Sequence, residues 1–155
     1  MLTTAHVWTA FLIHIGAILT AVAYFVVAGA LLPNATERAA MRLSERPVAT
    51  ALLGVLISAP WVAVSLFLLS RGGVAASVGA LLGMLWLLLG LLGGGAVAYR
   101  VGQVGHGWPR IARGGTIVAL TWVLPLVGWF VVLPLTLSTG VACLLLSARR
   151  RTVAT

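Results

Sequence analysis

The chain reads as an all-α polytopic integral membrane helix bundle: three long transmembrane helices, then a C-terminal helical hairpin, giving four to five membrane segments in one domain. Three observations predict this. Long apolar runs fill most of the sequence. All ten basic side chains are arginines, and they fall between or beyond those runs. Charged residues make up only 8% of the chain and its mean hydropathy is +1.14, whereas a soluble domain carries about 25% charged residues.

A span needs about 20 apolar residues, because the hydrocarbon is ~30 Å thick and a helix rises ~1.5 Å per residue. The first run covers 7–32 and stops at Pro33. No basic region precedes it and it is too long for a signal-peptide core, so it is expected to remain in the mature protein. Residues 34–46 can form a short interfacial helix, capped by Asn34 with Glu37 at the capping-box position and Met41 and Leu43 toward lipid. Asn34-Ala35-Thr36 is also a glycosylation sequon, a reading that a cytoplasmic loop disfavours.

The second run covers 48–69, is expected to kink at Pro60, and ends at Ser70-Arg71-Gly72-Gly73. The third covers 74–99. The last apolar stretch, 114–148, would be about 50 Å long as one helix, well beyond the bilayer. Its middle reads Leu124-Pro125-Leu126-Val127-Gly128-Trp129. Proline removes a backbone donor and glycine permits a reversal. The expectation is two segments, 109–124 and 130–148, turning at Pro125, Gly128 and Trp129.

Arginine position supports the hairpin. Arg38, Arg42 and Arg46 lie in one connection, Arg71 in the next, Arg100, Arg110 and Arg113 in the third, and Arg149, Arg150 and Arg151 in the tail. With a hairpin, nine of ten share one side; with a single last span, six of ten do. The positive-inside rule then puts the N-terminus outside and the C-terminus in the cytoplasm. The arginine-biased composition, heavy in Ala, Leu, Gly and Val, suggests a GC-rich bacterial genome and hence the bacterial inner membrane. Arginines spread over membrane boundaries also argue against nucleic acid as a partner, despite the net charge of +8.

The third run carries the clearest local pattern. Gly79, Gly83, Gly90 and Gly94 share a helical face with Trp86, and Ala98 and Gly102 continue it. Glycine four residues apart lets backbones approach closely. This face is expected to pack on a neighbouring helix of the chain or on another subunit. Gly93-Gly94-Gly95 reads as a helix-flexing run, since no strand-loop-helix unit surrounds it.

His14 lies deep in the first run, with Ala10, Ala17 and Ala21 on its face, so it is expected to point into protein. An intramembrane imidazole is costly and often functional. It can bond a neighbouring hydroxyl such as Ser58 or Ser65, or ligate haem or a chlorophyll-type pigment. His6 and His106 fall in loops or at the interface.

Thr121, Thr136, Ser138 and Thr139 are expected to bond carbonyls freed by Pro125 and Pro134. Trp8, Trp108, Trp129 and Tyr99 sit near span ends, as an aromatic belt requires. The lone Cys143 precludes an internal disulfide. No acid falls within a span, and no nucleophile–base pair, metal-ligand spacing or phosphate loop is present, so no catalytic residue and no metal ligand is assigned.

From Arg46 onward the order of features is Arg46-Pro47, a glycine-bearing helix, a Gly-rich helix ending Tyr99-Arg100-Val101-Gly102, Trp108-Pro109, Leu124 to Trp129, and Gly140 before the basic tail. This resembles the small membrane module attached to, or encoded with, bactofilin-like polymer-forming cytoskeletal proteins of bacteria. The resemblance covers about residues 46–148 and lacks the β-helix domain. It implies membrane anchoring or scaffolding. The expected function is therefore a non-catalytic anchor or scaffold with the lipid bilayer, other membrane subunits or itself as partners, and no cofactor. The rivals are an accessory subunit of a respiratory or photosynthetic complex, with His14 on haem or chlorophyll, and a small channel or transporter.

Overall fold

The computed structural model describes residues 4–122, 124 and 126–149. Its described residues form α1 (Thr4–Leu31), α2 (Pro33–Glu45), α3 (Pro47–Ser70), α4 (Gly73–Gly102), α5 (Trp108–Thr121) and α6 (Leu133–Arg149), with a π-helical turn over Gly128–Val132. Among the described residues, four segments are long and apolar enough to cross a membrane: His6–Leu31, Pro47–Ser70, Gly73–Gly102 and Gly128–Ser147. The chain is an all-α bundle and a multi-pass membrane protein.

Proline and glycine set the joints. Pro33 and Pro47 each occupy the first helical turn, where the missing N–H costs nothing. Pro33 starts α2 one residue before the expected cap, so Leu32 takes the N-cap position and Asn34 makes no cap. Glu37 instead accepts a hydrogen bond from Tyr99 Oη at 3.2 Å. Met41 is exposed, but Leu43 is half-buried. Gly72 and Gly73 turn α3 into α4 with φ of 74° and 55°, a left-handed conformation costly for other residues. Helix α3 continues through Pro60 without a break.

Helix α4 is the centre. Helix α3 runs antiparallel to it, with Trp61 Nε1 donating to Leu82 O at 3.0 Å and Ser65 Oγ donating to Gly79 O at 2.6 Å. Helix α5 is also antiparallel to α4, Gly102 meeting Arg110 and Ala98 meeting Gly114. Helix α6 runs parallel to α4, Gly90 meeting Leu137 and Gly93 meeting Gly140. Helix α1 packs on α4 and α5, whereas α3 packs on α4 and α6. Helix α2, about 20 Å long, crosses beneath α4 and α6 to join them.

The hairpin arms are unequal. Helix α5 has 14 residues, about 21 Å, too short to cross alone. The return arm is helical from Gly128 to Arg149. Gly128 N–H donates to Leu124 O at 2.8 Å, and Gly128 is buried against Thr121 and Trp122. Trp129 is exposed, and Pro125 lies outside the described residues. Thr121 and Thr136 donate to Val118 O and Val132 O, ordinary carbonyls one turn back, rather than to carbonyls that a proline frees. The wide π turn before Pro134 does that accommodation instead.

One end of the bundle gathers the cations. It holds Arg38, Arg42, Arg46, Arg100, Arg110 and Arg113, and α6 ends there at Arg149. Arg71 is at the opposite end, and Arg150 and Arg151 lie outside the described residues. A clamp ties this end together: Arg110 Nε donates to Tyr99 O at 2.8 Å, its guanidinium lies 4.1 Å over the Tyr99 ring, and Tyr99 reaches Glu37.

Candidate functional site

The glycine face of α4 does not meet one partner helix. Successive helices cross it. A methyl built on Gly79 would stand 2.7 Å from Ser65 O and 2.8 Å from Leu69 N, both on α3. At Gly83 it would stand 2.9 Å from Ser65 Oγ. At Gly90 it would meet Leu137 of α6 at 3.0 Å, and at Gly94 the Phe25 ring of α1 at 2.5 Å. Ala98 and Gly102 then meet α5. The stripe is consumed inside the chain. Trp86 is half-buried beside the apolar core, and its Nε1 has no hydrogen-bond partner among the described residues.

Gly93-Gly94-Gly95 has a different role from flexing the helix. All three are buried. Gly93 faces the backbone of Gly140 so closely that no Cβ fits, and Gly95 faces Phe25 O at 3.2 Å and Ala28. Three adjacent residues of a helix point about 100° apart, so one short run lets α6 and α1 approach from two sides. Gly140, Gly114, Gly115 and Phe25 complete these contacts; of these only Gly140 is singled out from the sequence, as a feature before the basic tail and not as a packing residue. The paired Gly114-Gly115 and the lone Gly140 in an apolar run are the signal that could have found the glycines. Phe25 carries no such mark.

His14 does not point into protein. It is exposed, and its nearest ring is Trp129, with centroids 6.1 Å apart. Ser65 is engaged with Gly79, Ser58 Oγ has no partner among the described residues, and both belong to α3, away from His14. The periodicity nevertheless places His14 in line with the buried Ala21, Phe25 and Ala28. The same face of α1 that packs on α4 and α5 continues upward past the end of α5 at Thr121. There it loses its neighbour: Ala10, Phe11 and Ala17, on the His14 side, are exposed.

The imidazole has a defined tautomer in its neutral form. His14 Nδ1 lies 2.7 Å from Ala10 O. A carbonyl only accepts, so Nδ1 carries the hydrogen and Nε2 keeps its lone pair. Donation of one ring N–H to a backbone carbonyl is how ligating histidines are oriented.

Comparison with family models, curated proteins and solved structures yields no match.

Proposed function

We propose that the protein is a non-catalytic membrane anchor or scaffold of the bacterial inner membrane, which packs against partner subunits through the outer half of α1. The carrying observation is the packing face of α1, which is buried at Ala21, Phe25 and Ala28 and continues, uncovered, to His14. A polar imidazole on a lipid-facing surface is costly, so a covering protein surface stabilises it. The resemblance to the membrane module of bactofilin-like proteins supports the anchoring role and suggests a polymer-forming partner. The second reading is an accessory subunit in which His14 Nε2 ligates haem iron or a chlorophyll-type magnesium. The Nδ1 bond to Ala10 favours it.

Purification of the wild type and His14→Gln from native membranes in a mild detergent separates the two. The anchor reading expects a membrane subunit in fixed ratio, no Soret or near-infrared band, and loss of that subunit on substituting Phe11 or Ala17, which flank His14 on the same face, with arginine. A band present in the wild type and lost in His14→Gln overturns it in favour of the accessory subunit.

The orientation proposed is N-terminus outside and C-terminus cytoplasmic, because the end rich in arginine is retained inside. Single cysteines at positions 41, 106 and 153, in a Cys143→Ser background, should all resist an impermeant thiol reagent in intact cells and react after permeabilisation. Position 41 is used on α2 because Met41 is exposed whereas its neighbour Ala40 is buried. Labelling of position 153 from outside would remove the hairpin return.

A further inference from the structure

Helix α2 has one face buried against α4 and α6, through Thr36, Ala39 and Ala40. A different flank carries Arg38 and Arg42, one helical turn apart, and Arg46 follows at the same spacing at the joint with α3. Two cavities open on this flank. One of about 420 Å³ is lined by Arg42, Glu45, Arg46 and Thr50, with Leu53 of α3 and Leu146 of α6 as apolar walls. A smaller one of about 130 Å³ adds Arg38 and Met41 beside Arg42, Glu45 and Leu146.

The charges do not balance within the protein. The whole chain has two acids. Glu37 accepts from Tyr99 of α4 and lines neither cavity. Glu45 alone remains beside three guanidinium groups, so the flank holds a local charge of +2 (three cations less one anion). This surplus of positive charge attracts an anion from outside the chain.

The surroundings say which anion. The cavity lies at the end of the membrane-spanning helices α3 and α6, and its Leu53 and Leu146 walls belong to those spans. Guanidinium groups bind phosphate oxygens bidentately. Basic side chains just inside a membrane are drawn to anionic headgroups. A zwitterionic lipid brings its own cation, which the surplus positive charge repels. A free phosphate would leave the apolar walls unused.

We propose that the Arg38–Arg42–Arg46 flank of α2 is a binding site for an anionic phospholipid, the phosphate held by Arg42 and Arg46 and the first acyl carbons resting on Leu53 and Leu146. Glu45 accepts from headgroup hydroxyls. The site depends on the membrane setting of the bundle and not on the partner reading of α1.

The test uses the full chain, delipidated in mild detergent. Dioctanoyl phosphatidylglycerol, dioctanoyl phosphatidylcholine and inorganic phosphate are titrated separately, with binding read by native mass spectrometry and thermal unfolding. Phosphatidylglycerol should bind about tenfold tighter than phosphatidylcholine or phosphate. That preference should vanish in Arg42→Gln/Arg46→Gln and persist in Arg71→Gln. If the double variant does not fold, Arg42→Gln alone is read and should reduce the preference. Equal binding of the two lipids, or a preference retained without these arginines, overturns the proposal. Phosphate binding as tightly as phosphatidylglycerol assigns a free anion and overturns the lipid. Equal loss in Arg71→Gln shows a diffuse charge effect and overturns the site.

Discussion

Gly93→Leu is expected to abolish the folded bundle in detergent, whereas Gly16→Leu should leave its unfolding temperature nearly unchanged. Both glycines lie within apolar helices, so helix propensity does not separate them. Space does. Gly93 faces the backbone of Gly140, which cannot rotate away, while Gly16 has nothing within 4 Å of a built Cβ. Even Gly93→Ala forces α4 and α6 apart. Overpacking costs roughly 1–3 kcal/mol in soluble cores, and the cost here should reach about 3 kcal/mol because the obstacle is backbone. Lipid tails give no hydrophobic drive to close the gap again. Gly83→Ala should be milder, since it meets only Ser65 Oγ at 2.9 Å, though it strains the Ser65 bond to Gly79. Thermal unfolding and monodisperse yield of these four variants and of Gly16→Ala check the order. Equal stability of Gly93→Ala and Gly16→Ala would show that α6 does not sit on α4 as described.

What the sequence made legible was local: lengths, joints and faces. Span length against bilayer thickness separates four spans, and Leu124 to Trp129 breaks the last stretch because one helix through it would overrun the membrane. Period arithmetic put His14 on the packing face of α1. It did not reveal that α5 ends at Thr121, because a helix face carries no record of its neighbour's length. The glycine face failed in a related way. Spacing marks where a backbone can approach, and four different helices answered at Gly79, Gly90, Gly94 and Gly102. Asn34 lost its cap because Pro33, with φ already near the helical value, starts the helix first. Phe25 was invisible, since one aromatic in an apolar span looks the same whether it faces lipid or fills a hole.

Phe25 gives the sharpest test of the α1 docking. Its side chain is 0% exposed. Positions 94 and 115, on α4 and α5, are both glycine where the ring sits: a Cβ at Gly94 would lie 2.5 Å from Cε1, and one at Gly115 would lie 3.0 Å from Cδ2. The Trp122 indole closes the pocket edge-on, with centroids 6.1 Å apart and planes at 77°. In a water-soluble core Phe→Ala costs about 3–5 kcal/mol, made of transfer from water plus the cavity left behind. Here the ring leaves lipid rather than water, so most of the transfer part disappears. Lost contacts and the cavity remain, and Phe25→Ala should cost about 2 kcal/mol. Phe25→Leu should fall between. The same geometry predicts a coupling with its sign. Gly115→Ala alone crowds the ring and destabilises. In the Phe25→Ala background the added methyl enters the vacated space, and its cost should fall to zero or reverse. Residues in contact commonly couple by about 0.5–3 kcal/mol, and a value near 1 kcal/mol is expected in a double-mutant cycle read by thermal or denaturant unfolding. Strict additivity of the two substitutions would mean that Phe25 does not occupy the glycine-lined pocket, and α1 would then need another seat on the bundle.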